Sequence, residues 1–211
     1  MFIILMRRYN HSTNYHAINT NIVEYYENGN TKIEKRQKKQ RCIIGPTIVK
    51  YHENGLIKTI IWHNNGDKHR AGSPAFISYY NNGFVRGIVW CKDGKQHRVN
   101  KPAIIVYYKN GNVQKEIWCE YGKLHRIGGP GFILYYKNGN VEKEMWGEVG
   151  NLHRINGPAI IIYFKNGNVY EKKYYICGKS PDIKEQDILQ QRRTVGINQY
   201  MIRNLLKKYL V

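Results

Sequence analysis

The sequence predicts an all-β protein: an elongated antiparallel meander of tandem β-hairpins, followed by a short helical tail. Three observations predict it. Residues recur at a fixed interval of 28. Within each interval, two runs rich in β-branched and aromatic residues flank an Asn-Gly pair, a strong hairpin signal. The repeats at the two ends depart from the pattern, as capping units of an array do.

Several residue types keep the interval in register. Trp62, Trp90, Trp118 and Trp146 follow it, and so do His69, His97, His125 and His153, each trailed by an arginine: Arg70, Arg98, Arg126 and Arg154. The prolines from Pro46 to Pro158, the Asn-Gly glycines from Gly55 to Gly167, and a second glycine set from Gly66 to Gly178 keep the same step. The chain therefore divides into three spans. Residues 1–44 hold a degenerate leading repeat and a basic run, 45–178 the tandem array, and 179–211 a helical cap or docking tail. The leading repeat, VEYYENGNTK from Val23, matches IVYYKNGNVQ from Ile105, with Arg36 where Trp is expected. At the far end Tyr174 replaces Trp, and Lys-Ser-Pro follows Gly178 in place of His-Arg.

One repeat, Pro102 to Gly129, illustrates the local reading. Ala103 to Tyr108 and Val113 to Trp118 read as strands joined by Asn110-Gly111. Two strands per repeat follow, joined alternately by a tight turn and a longer loop. A two-residue turn sets Tyr108 opposite Val113, Ile104 opposite Ile117, and Ala103 opposite Trp118. One face then carries Ile104, Val106, Tyr108, Val113 and Ile117, and the other Ala103, Ile105, Tyr107 and Trp118. A bulged turn would shift this pairing. Equivalent residues lie two strands apart, roughly 9 to 10 Å. The tryptophans thus form one column and Tyr79, Tyr107, Tyr135 and Tyr163 another, together the structural core of the array. In the tail, Ser180 and Pro181 suit a helix start, and Asn198 a second one bearing Met201, Ile202, Leu205 and Leu206.

The phrase YYKNGNVQKEIWCEYGKLHR resembles MORN repeats, in the longer variant with an NG turn and an HR loop seen in large DNA viruses of amoebae and in bacterial antitoxin-like proteins. The resemblance covers about Val23 to Gly178. It implies an elongated antiparallel sheet used as a scaffold, with lipid or protein binding in some members, and no shared catalytic residues. The period here is longer than the standard one, and GP or SP stands where that pattern has GxG.

The His-Arg phrase offers the one constellation with the look of a site. A catalytic His-Arg occurs once, with a distinct base or nucleophile aimed at it. Here His69-Arg70, His97-Arg98, His125-Arg126 and His153-Arg154 recur in register, and no Asp, Glu, Ser or Cys recurs with them. They read as structural loops whose Arg or His bonds turn carbonyls, or as a repeated partner-binding edge. Their spacing suits no metal site, and an adjacent Arg disfavours a cation. No phosphate loop or cofactor motif is present, and no cofactor is expected. The cysteines Cys42, Cys91, Cys119 and Cys177 lack CxxC spacing, and free thiols are expected.

Thirty-four Lys and Arg against 15 Asp and Glu give a net charge of +19. Such a balance favours polyanionic or acidic partners. The one dense run, KIEKRQKKQR, places Lys35, Arg36, Lys38, Lys39 and Arg41 together as a polyanion-binding candidate or a solvated connector. No apolar run approaches the roughly 18 residues of a membrane span, and MFIILMRRYN does not read as a secretory signal. An intracellular protein is expected. These features point to a non-enzymatic scaffold that binds a protein partner, an acidic one by charge. The alternative is a basic protein coating or packaging nucleic acid without sequence preference. Phospholipid binding rests on the resemblance, and self-association on the unpaired edges of an open sheet.

Overall fold

The computed structural model describes residues 20–36, 45–181 and 207–208. Twelve strands form one antiparallel sheet in which each strand pairs with its sequence neighbours. They run Thr20–Tyr25, Thr31–Arg36, Ile48–Tyr51, Ile57–Ile61, Phe76–Tyr79, Val85–Val89, Ile104–Tyr107, Val113–Ile117, Phe132–Tyr135, Val141–Met145, Ile160–Tyr163 and Val169–Lys173. The all-β meander of consecutive hairpins is therefore as the period predicts. The helical tail falls outside the described residues apart from Lys207 and Lys208, as do Lys38, Lys39, Arg41 and Cys42 of the basic segment.

The Asn-Gly turn is not the two-residue turn expected. Tyr107, not Tyr108, pairs with Val113, through a bulge after Val106. The Tyr108 N–H instead bonds the Asn112 carbonyl at 2.8 Å, and the Gly111 N–H bonds the Tyr108 carbonyl at 3.0 Å. Only the glycine of this turn is left-handed, at φ 88°. Asn110 uses its side-chain oxygen to accept the Asn112 N–H at 3.2 Å. An asparagine that satisfies the turn through its side chain has no need of positive φ, so the loop lengthens and a bulge absorbs the extra residue. Val113 consequently shares a face with Tyr107. The expected pairing of Ile104 with Ile117 is present.

The tight turns lie at the second glycine set. Asp93-Gly94, Tyr121-Gly122 and Val149-Gly150 carry paired φ values of 50° and 76°, 49° and 81°, and 50° and 92°. Positive φ at both central residues defines the type I′ turn, whose twist matches that of a hairpin. The expected longer loop thus contains a two-stranded ribbon: Cys91–Lys92 with Lys95–Gln96, Cys119–Glu120 with Lys123–Leu124, Gly147–Glu148 with Asn151–Leu152. A full repeat has four strands where two were expected. The ribbons stack, because the Gly94 N–H bonds Lys68 carbonyl at 3.1 Å and the Gly122 N–H bonds Gln96 carbonyl at 2.8 Å.

Each Trp N–H bonds the small residue opening the next repeat. Trp62 donates to Ala75, Trp90 to Ala103, Trp118 to Gly131 and Trp146 to Ala159, at 2.7 to 2.8 Å. The small-residue preference therefore serves a junction between repeats, and not only the Trp of the same hairpin. Ala75, Ala103 and Ala159 have no exposed surface. At Gly131 even a methyl would come within 2.8 Å of Leu124. The remaining core is a layer of largely half-buried strand residues, with Ile33, Val49, Ile61, Ile133 and Ile160 buried in the main sheet and Cys91 and Cys119 in the ribbons.

A second tyrosine row fastens the repeats together. The hydroxyls of Tyr26, Tyr80 and Tyr108 donate to the backbone carbonyls of Tyr51, Tyr107 and Tyr135, at 2.7 to 2.9 Å. Asn112 and Asn140 donate to Lys137 and Lys165 carbonyls at 2.9 and 2.8 Å along the same edge. The end repeats adapt this plan. Arg36 takes the Trp register, its N–H bonding Thr47 carbonyl at 2.9 Å. Tyr174 closes the other end at 4 % exposure, next to the fully buried Ile176.

Candidate binding edge

The ribbon doubles back so that the His N–H meets the Trp carbonyl, at 3.1 Å for His97 and Trp90 and 3.0 Å for His125 and Trp118. This closure lays each following Arg over the Trp eight positions earlier. Guanidinium carbons sit 3.9, 3.7, 3.9 and 3.7 Å from the ring centres of Trp62, Trp90, Trp118 and Trp146. The same arginines donate Nη1–H to the carbonyls of Pro74, Pro102, Pro130 and Pro158, at 3.5, 3.3, 3.2 and 3.1 Å. A planar fork suits both contacts at once, which a lysine cannot reproduce. A stack of this kind is worth about 0.5 to 2 kcal/mol according to its desolvation. Burial lowers the Arg98 pKa, against a smaller opposing influence from Tyr107.

The histidines bolt one repeat to the next. Nδ1 of His69, His97 and His153 accepts the backbone N–H of Asp93, Tyr121 and Cys177, at 3.3, 3.3 and 3.2 Å. The side chain at that turn position varies while the imidazole stays. Asp93 Oδ1 is 3.1 Å from His69 Nδ1, the Tyr121 ring is 4.4 Å from that of His97, and Cys177 Sγ is 3.7 Å from His153 Nδ1. Nδ1 carries either a lone pair or a proton. In His69 it therefore serves the Asp93 N–H or the carboxylate, one at a time.

Between successive His-Arg phrases lie three clefts in step. The first, about 310 Å³, is lined by His69, Arg70, Trp90, His97 and Arg98. The second, about 310 Å³, is lined by Arg98, Lys101, Trp118, His125 and Arg126. The third, about 450 Å³, is lined by His125, Arg126, Trp146, His153 and Arg154. All eight His-Arg residues and three of the four tryptophans of the sequence reading thus converge on one edge. The second and third clefts also take in aliphatic residues that the sequence reading did not single out: Ile127, 85 % exposed, lines both, and half-buried Ile155 lines the third. Both directly follow the Arg, so the 28-residue register was the signal that could have found them.

The other candidates lie elsewhere. Tyr135 and Tyr163 donate their hydroxyls to Glu116 and Glu144, each at 2.9 Å, and Tyr51 to Glu34 at 3.0 Å. Burial first, then these carboxylates, raise the three phenols, Tyr51 and Tyr163 to about 12. Burial and Glu116 raise Tyr107 as well, while the Tyr79 ring continues the column on the same face. Lys35 pairs with Glu24 at 3.6 Å, and Arg36 Nη1 reaches Pro46 carbonyl at 3.4 Å, as the His-Arg arginines do in full repeats. Cys91, Cys119 and Cys177 are free thiols, and burial raises the pKa of the first two. No helix among the described residues is long and apolar enough to cross a membrane. Comparisons with protein-family models, curated proteins and solved structures find nothing that matches this chain.

Proposed function

We propose that this protein is a non-enzymatic, MORN-like repeat scaffold that binds a protein partner along its His-Arg edge. One observation carries the reading: three clefts recur in register, each combining a tryptophan with the arginines of two successive His-Arg phrases, and Ile127 lines two of them. Buried aromatic and arginine anchors bordered by apolar residues are the composition of protein-binding hot spots. Charge favours an acidic partner: Arg70, Lys92 and Arg98 line the first cleft with no carboxylate, and the basic residues outnumber Glu120 in the second and Glu148 in the third. Affinity capture of the tagged chain from its source cells, with and without nuclease, tests this. Discrete proteins that stay bound after nuclease, and are lost from the Ile127→Asp variant, are the expected result.

The net charge of +19 favours a second reading, a nucleic-acid-associated protein. It requires binding that collapses with nuclease and falls steeply with salt. That outcome would replace the scaffold reading.

A further inference from the structure

We propose that the occupant of the edge is an acidic polyproline II segment carrying a carboxylate at every third residue. This rests on the scaffold reading above and adds the conformation and period of the ligand. Successive clefts follow alternate strands of one sheet, so they repeat every two strands. At about 4.7 to 4.9 Å per strand, that is roughly 9.4 to 9.8 Å. A polyproline II helix has three residues per turn and a rise of about 3.1 Å, and so presents the same side roughly every 9.3 Å. Over three clefts the accumulated mismatch is on the order of 1 Å or less.

Other peptide conformations match less well. Three residues of an extended strand cover about 10 Å, but their side chains alternate faces, so the third one points away. Strand residues on one face recur at roughly 6.8 or 13.6 Å, neither of which is the cleft spacing. Two turns of an α-helix cover about 10.8 Å, and the error grows by more than an ångström per cleft. Polyproline II also has no internal hydrogen bonds, so it can follow the coil that sheet twist imposes on the edge.

The chemistry of the clefts suits the same ligand. The tryptophans are covered by their arginines, Trp118 down to 9 % exposure, so the surface left to a proline ring is aliphatic. Carboxylates meet arginine forks, and Arg98 and Arg126 each line two neighbouring clefts. Ile127, which lines the second and third clefts, is an exposed apolar ridge against which a proline ring can pack.

The test uses the full chain and two fluorescent peptides of identical composition. One repeats Pro-Pro-Glu, and the other holds the same residues with the glutamates clustered at one end. Anisotropy titration at physiological ionic strength is expected to show the repeating peptide binding on the order of tenfold tighter, a difference of about 1.4 kcal/mol. Ile127→Asp, at a residue 85 % exposed, is expected to remove that preference while the thermal melt stays in place. Equal affinity for the two peptides overturns the period match and leaves the scaffold reading to the capture experiment. Absence of binding to either, or displacement of the peptide by oligothymidylate at lower concentration than by unlabelled peptide, also overturns it.

Discussion

The hydroxyl of Tyr136 donates to the backbone carbonyl of Tyr163 at 2.8 Å, one repeat further along the chain. In the last repeat the equivalent position is Phe164, whose ring packs edge-on against Tyr170 at 4.9 Å. Among the described residues no following repeat supplies a carbonyl there, and the side chain lacks the hydroxyl that would need one. At His52, also in this row, the imidazole Nε2 lies 3.2 Å from Tyr79 carbonyl and takes over the contact.

Tyr108→Phe and Tyr136→Phe are expected to cost about 1 kcal/mol each, the net worth of one hydrogen bond. Phe164→Tyr is expected to be close to neutral. Urea denaturation of the three variants checks both, and equal losses at all three positions would contradict the ladder.

The arginine stack predicts a difference between two substitutions at one site. Arg126→Lys keeps the charge but loses the planar contact with Trp118 and the fork to Pro130, and is expected to cost about 1 to 2 kcal/mol. With Trp118→Ala as background, the same change is expected to cost much less. A double-mutant cycle by chemical denaturation reads the coupling.

Alkaline pH is expected to weaken the fold. Tyr51 and Tyr163 have pKa values raised from 10.0 to about 12, so between those values the folded chain holds protons that the unfolded chain has released. Stability is therefore fully present below about pH 10 and declines as pH rises towards about 12. Denaturant midpoints across that range, with tyrosinate absorbance followed in parallel, test the slope. Glu144→Gln is expected to lower the apparent pKa of Tyr163, because the charge opposing the phenolate is gone.

Val149 sits at φ 50° in a type I′ turn, where a β-branched side chain is strained, and it is 60 % exposed. Val149→Asn is expected to stabilise the protein by about 1 kcal/mol, since asparagine tolerates that conformation. A rise in thermal midpoint is the readout.

That strain also explains what could be read from the sequence and what could not. The period, the meander and the columns follow from spacing alone, and Ile104 opposite Ile117 follows from patterning. The identity of the tight turn does not. Asn65-Gly66 and Asp93-Gly94 carry the favoured residues for a two-residue turn, but so does Asn110-Gly111, which forms the longer one. Tyr121-Gly122 and Val149-Gly150 form the tight turn with residues that disfavour it. Tertiary stacking of the ribbons prevails over local preference, through bonds such as that of Gly122 N–H to Gln96 carbonyl. The Arg126–Trp118 stack was equally hidden. It depends on the ribbon folding back, and neither residue signals the other at that separation.

Among the described residues, every fastening named above, whether tyrosine hydroxyl, turn asparagine, histidine nitrogen or ribbon glycine, reaches only the next repeat. A deletion or duplication of one whole period would therefore splice donors to equivalent acceptors and leave the fold intact. What changes is the number of clefts. The array is in this sense a ruler marked in units of one binding step, and the valency of the edge can be lengthened or shortened without redesign of any single contact.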